Sequence, residues 1–387
     1  MLPFPIRQLR TPSLEVSSSI ALNAAFALTG FATALLGATL PVMRAHWSLT
    51  DRSAGVLFLV LFLGSSLGAL ASFGRATHSL ARGTCLIAPI CFALAFARGF
   101  AIFPLCFLYG LGLGITITSI SLVRSQRLHA RRARELNRLN LIWVAGAFLC
   151  PWLANRILQL SNVETLFLAV GAAFSLFAIW TLAAEVRHLP SPCLPLALAA
   201  TPAFRLPWAI AVATMLATGL ESCTGAWIGT YAGRLRSGIG VEATTLFWFG
   251  LLASRALHST SLPQRFSERA LLRNGAWIAT CGSLFVLANH LPMLLFPGAF
   301  LIGFGVGPIY PLLLALTLPR VRGNVIFLMG GVGSALLPWL TGTLSARAHS
   351  LHVAMIVPSV AAIGLLLLAR RVVGSLRDRE EENFPSS

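Results

Sequence analysis

Lysine is absent from this 387-residue chain, and charge of either sign is scarce: 11% of residues are charged, against about 25% in a soluble domain. Every one of the 29 Lys+Arg positions is Arg. Without Lys there is no Gly-Lys-Ser/Thr, so a Walker A phosphate loop is excluded, and so is Schiff-base chemistry. Acids number only 12. They form no cluster with His of the kind that general acid–base catalysis in a membrane-embedded transferase needs, and no enzyme activity is expected. The seven cysteines, at 85, 91, 106, 150, 193, 223 and 281, contain no CxxC. They suggest neither a zinc site nor a disulfide framework and read as small apolar fillers. No cofactor and no metal is expected.

What the chain has instead is apolar sequence, 56% of residues with a mean hydropathy of +0.79, which places it in a bilayer. A membrane-crossing helix needs about 20 mostly apolar residues. Twelve such runs are present: 20–43, 53–73, 80–98, 100–122, 139–160, 163–184, 207–232, 243–261, 273–289, 291–316, 324–344 and 352–370. The first is too long for a signal-peptide core and reads as a retained span. The longest connection, 185–206, separates residues 1–184 from 207–387, six spans on each side.

Arg sets the orientation, because positive residues collect on cytoplasmic loops. With the N-terminus inside, the inner segments hold 21 Arg and the outer loops seven, at 44, 52, 98, 156, 234, 236 and 347. The remaining one, Arg255, lies inside a span, away from its ends. Both termini are then cytoplasmic. The net charge of +17 is accounted for by inner loops near anionic lipid headgroups, and no nucleic-acid partner is implied.

The fifth span contains GAFLCPWL, Gly146–Leu153, and the eleventh GSALLPWL, Gly333–Leu340, both G-x-x-L-x-P-W-L. Asn137 and Asn324 precede the two Gly by nine residues. Upstream, Gly110, Gly112 and Gly114 match Gly303, Gly305 and Gly307. Two motifs in the same order identify the halves as copies of one six-span unit.

Twelve spans in two parallel copies, with a central linker, resemble the major facilitator superfamily. The resemblance implies an all-α membrane protein of two pseudo-symmetric six-helix bundles, a substrate site near the midplane between them, and a secondary transporter working by alternating access. GLGLG and GFGVGPIYP are similar to that superfamily's fourth and tenth spans. The loop after span 2, GALASFGRATHSLARG, keeps Arg75 and Arg82 but lacks the acid of the superfamily's loop motif. GLESCTGAWIGTY, Gly219–Tyr231, and FWFGLLASRAL, Phe247–Leu257, resemble the seventh and eighth spans of fucose-permease-like sugar transporters. Those permeases are proton symporters that use acids in spans 1 and 4, and this chain has neither. The resemblance also implies a cavity lined by spans 1, 4, 7 and 10.

Helical spacing puts Asn23, Ala27, Gly30, Ala34, Gly37 and Pro41 on one stripe of span 1, and Thr218, Glu221, Ser222, Gly225 and Gly229 on one face of span 7. Small, polar faces suit either water or a close helix neighbour. Glu221 is the only acid deep in any span. A carboxylate at mid-bilayer costs roughly 2.5–3.5 kcal/mol on insertion scales, so it needs a proton, water or a partner. Two readings stand side by side: a cavity residue handling protons or solute hydroxyls, and an ion pair with Arg255, which counting along the helices puts at a similar depth. Asn140, Trp143, Trp227 and Tyr310 are further candidates for solute contact, and His258 for proton handling. The expected partners are a small polar, sugar-like solute, the lipid of a bacterial inner membrane, and protons, with the protein a monomer. Proton-driven efflux of amphiphilic compounds is the competing expectation, and a membrane-embedded transferase is the alternative of a different class.

Overall fold

The fold is taken from a computed structural model, which describes residues 12–72, 76–127, 132–186, 208–260, 266–288, 292–317 and 324–383. The first 11 residues, Arg75 and nearly all of the 185–206 linker lie outside these, as does the side chain of Asn137. The described chain is helical throughout, as lipid demands: backbone N–H and C=O groups must be satisfied within each segment. In the first half the helices are α1 (Pro12–Ala38), α2 (Leu40–His46), α3 (Asp51–Ala71), α4 (Ala76–Phe96), α5 (Ile102–Arg127), α6 (Arg132–Leu160) and α7 (Val163–Val186). In the second they are α8 (Trp208–Leu235), α9 (Gly240–His258), α10 (Glu268–Leu287), α11 (Leu295–Val306), α12 (Ile309–Thr317), α13 (Asn324–Ala348), α14 (Leu351–Ala354) and α15 (Ile356–Asn383).

Among the described residues, ten stretches are long and apolar enough to cross a membrane. The other two expected spans, α9 and α13, are helices that carry more polar and glycine positions: Thr244, Thr245, Ser254 and Arg255 in one, Gly330, Gly331, Gly333 and Gly342 in the other. Three expected continuous spans are broken, the twelfth at Met355 between α14 and α15. Span 1 stops at Ala38, where the Thr39 hydroxyl bonds to the Leu35 carbonyl, and restarts as α2 with Pro41 in its first turn. Span 10 breaks at Gly307–Pro308 into α11 and α12.

The repeated motifs make matching contacts. A Cβ on Gly146 of α6 would fall on the Ala27 carbonyl oxygen of α1, and one on Gly333 of α13 on the Met215 carbonyl oxygen of α8. Likewise Gly110 and Gly114 meet α3 at Leu61 and Ser65, while Gly303 and Gly307 meet α9 at Phe247 and Ser254. Gly112 faces Ile87 of α4, and Gly305 faces Ala279 of α10. Small residues let membrane helices approach to backbone contact, so each Gly marks the same helix pair in each copy. The span 1 stripe serves packing: Ala27 and Gly30 against α6, and Gly37 against the Gly225 carbonyl of α8.

Contacts between the halves are dense at the end where the loops after α2, α6, α8 and α13 gather, called here the loop end. α3 and α13 run antiparallel side by side. Asp51 meets Ser345, Gly55 lies against Trp339 and Gly342, and Ser66 lies against Gly331. The Phe58 and Trp227 rings meet edge-on at 6.1 Å.

Candidate functional site

Glu221 is halfway along α8, and Arg255 is in the last turns of α9. An Arg255 Nη2 hydrogen donates to Glu221 Oε2 at 3.0 Å, with the two side chains 8% and 14% exposed. The ion pair is therefore present, and it is held away from lipid. Arg255 Nε also donates to the Gly307 carbonyl at 3.4 Å. That carbonyl is available for a chemical reason. In a continuous helix it would accept from the N–H four residues on, which here is Pro311, and Pro has none. The GPIYP sequence breaks the tenth span and leaves a backbone acceptor for the guanidinium.

From the other half, Trp143 of α6 lies under the Arg255 guanidinium, 5.9 Å from ring centroid to Cζ. A cation over an indole face is worth about 0.5–2 kcal/mol, more when desolvated. Trp143 meets Trp248 of α9 edge-on at 6.0 Å. Both indole nitrogens, Trp143 Nε1 and Trp248 Nε1, are buried with no hydrogen-bond partner. An indole N–H can only donate, and leaving a buried donor unmet costs about 1–3 kcal/mol.

The other expected residues fall into three groups. Tyr310 of α12 is close enough to feel the charges of both Glu221 and Arg255, and its ring borders Gly330. Ser222 and Asn140 are half-buried on α8 and α6. Thr218 is committed elsewhere, its hydroxyl donating to the Gly330 carbonyl of α13 at 2.8 Å. Trp227 is fully buried, and its indole N–H donates to the Pro338 carbonyl at 3.0 Å. It packs α8 against α13 and α3, two turns from Glu221. Asn23 is held by Arg124, whose Nη2 donates to Asn23 Oδ1 at 2.6 Å. His258 Nδ1 is bonded to the Ser254 carbonyl at 2.7 Å.

Three features were not legible beforehand. Arg124, counted as a loop charge, lies within α5 and is 6% exposed. Trp248 carries no sequence signal beyond its type. Asp51, beside Arg52, reads as a solvated loop charge, yet its side chain is only 11% exposed. It receives two hydrogen bonds from Arg234 of the second half, one of them 2.8 Å, and a third from Ser345. Arg44 adds an ion pair at 2.9 Å. Burial pulls the Arg44 pKa below its ordinary value, opposed by the Asp51 carboxylate and reinforced by the like charge of Arg234. The loop end is thus closed by a carboxylate from one half and a guanidinium and hydroxyl from the other.

No family model matches the chain, and no curated protein matches it. Among solved structures, it is similar to a bacterial homologue of the human lysosomal transporter Spinster, in an inward-facing and unoccupied conformation. The TM-score is 0.68 at 15% sequence identity, over 94% of this chain and 99% of that one. At that identity the likeness is one of fold, an all-helical bundle with many apolar helices.

Proposed function

We propose that the chain is a secondary active transporter that moves a small polar solute by alternating access, with proton coupling. The moving units are residues 1–184 and 207–387, joined by 185–206. The protein works as a monomer in a bacterial inner membrane, with both termini in the cytoplasm. The observation that carries this reading is the Glu221–Arg255 pair, largely buried, with an aromatic from the opposite half against the guanidinium. An ionisable pair within one bundle that is bordered by a side chain of the other can change its partners when the bundles rock. A pair needed only for stability is a poor investment in lipid, since well-packed apolar residues do as well. The fucose-permease-like character of spans 7 and 8 favours a sugar-like solute taken up with protons. The closed loop end supports a state open toward the chain termini.

The test is flux in proteoliposomes containing an internal pH dye and an inward proton gradient. Solute uptake with acidification of the lumen is expected. Glu221→Gln should abolish proton-driven accumulation while solute exchange between the two sides persists. Accumulation unchanged in Glu221→Gln refutes the coupling role. Solute movement only against the proton flux, into the more acidic compartment, makes the protein a proton-antiporting exporter.

A further inference from the structure

The groups around Arg255 restrict what the solute can be. Arg255 has five N–H donors, and two are engaged, by Glu221 and the Gly307 carbonyl. Trp143 and Trp248 add two buried indole N–H donors without partners. Trp143 is the ring under the guanidinium, and Trp248, against Trp143, is about two turns before Arg255 on α9. Among the described residues the side-chain carboxylate here is Glu221, whose Oε2 is taken by Arg255. Donors therefore outnumber acceptors. A neutral polyol brings a hydrogen to place with every hydroxyl, and this site has few acceptors to take them. A carboxylate brings acceptors only.

We infer that the solute carries a carboxylate, which takes Arg255 from Glu221 as Glu221 accepts a proton. The idea rests on the transporter reading for its biological use, but the exchange at Arg255 is a binding event that stands by itself. Charge balance favours it. The empty site holds one negative and one positive group. Once a monoanion pairs with Arg255, a protonated Glu221 keeps the site at the same net charge. An unprotonated Glu221 would be stranded in a poorly solvating space. A phosphate dianion would leave one charge unmatched, and a neutral solute would need no proton. A single guanidinium with flanking donors thus fits a monocarboxylate.

On α9, His258 is one turn beyond Arg255 with its Nδ1 at the Ser254 carbonyl, and Glu242 is in the first turn. Facing Glu221 are Arg255 from α9 and Tyr310 from α12. From Ile20 onward α1 has no ionisable residue, and neither has α11. The ionisable side chains of α2 (Arg44 and His46) and of α13 (Arg347) are at the loop end, and those of α15 begin at Arg370, near the opposite end.

The experiment uses the purified full chain in detergent, weakly buffered with a pH indicator, reading tryptophan fluorescence and proton uptake together. The probes are D-gluconate against D-glucitol, and phenylacetate against 2-phenylethanol. At least one acid should bind, with about one proton taken up per molecule, and at least tenfold more tightly than its alcohol, the scale of a charge-assisted contact. In the wild type its affinity should fall as pH rises. In Glu221→Gln, binding should persist, become flat with pH and take up no proton. Arg255→Lys should lose at least about tenfold in acid affinity, because Lys cannot reproduce the planar fork. Trp143→Phe, which keeps a ring and removes the donor, should lose about threefold to tenfold and guards against Arg255 variants that fail to fold. The idea is overturned if an alcohol binds as well as its acid, if acid binding brings no proton, or if neither acid binds. Acid binding with proton uptake but no flux would sink the transporter reading and leave this one standing. Flux of a neutral solute without proton uptake on binding would do the reverse.

Discussion

Replacing Asp51 by Asn should open the loop end. In the closed arrangement Asp51 takes hydrogen bonds from Arg234 and Ser345 across the halves and an ion pair from Arg44 within its own. Asn keeps the shape but removes the charge, leaving Arg44 and Arg234 facing one another uncompensated. Exposed ion pairs are worth about 0.2–1 kcal/mol, and removing one partner of a buried pair costs about 3–5 kcal/mol. Asp51 is 11% and Arg234 36% exposed, so this contact lies between those limits, at about 2 kcal/mol. At about 1.4 kcal/mol per tenfold, the closed population relative to the open should fall about 30-fold. The assay is pulsed electron–electron spin distance measurement between labels at Ser161→Cys and Ser237→Cys, both exposed at the loop end on opposite halves, with the native cysteines replaced. The wild type should give one short distance, and Asp51→Asn a longer one that dominates. Arg234→Gln should behave alike, and the double variant should add little, as expected for two groups in one contact. An unchanged distance distribution in Asp51→Asn would refute the claim that this network holds the halves together.

Three further outcomes follow from the packing. Gly37→Leu places a side chain against the Gly225 carbonyl of the other half, so the same labels should report an opened loop end although no charge is altered. Gly146→Val and Gly333→Val each push a side chain into a backbone carbonyl, of Ala27 and Met215. Overpacking of this kind costs about 1–3 kcal/mol or more, and thermal unfolding in detergent should show both variants destabilised by similar amounts. Trp227→Phe loses the hydrogen bond to Pro338, about 1 kcal/mol. It should lower the unfolding temperature while leaving solute affinity within about twofold, whereas Trp143→Phe should do the opposite.

Composition and periodicity alone made much of this protein legible. Lipid leaves a chain few options, so apolar runs of the right length had to be helices. The two G-x-x-L-x-P-W-L copies predicted equivalent helix pairs because a membrane interface depends on glycine to bring backbones together. Counting residues from the span ends put Glu221 and Arg255 at a similar depth, since each residue advances a helix by a fixed rise. Rotation about the axes and the meeting of distant segments were beyond that reach. Asp51 and Arg234 are 183 positions apart, and each looks like a solvated loop charge until the two halves close. Trp227 and Trp143 are equal candidates by type, yet one is spent on a carbonyl in the core and the other lies beneath a guanidinium. One-dimensional pattern fixes which face of a helix is small, polar or charged. Only the assembled bundle decides whether that face meets a backbone, a counter-charge or a solute, because that depends on what the other helices bring to the same place.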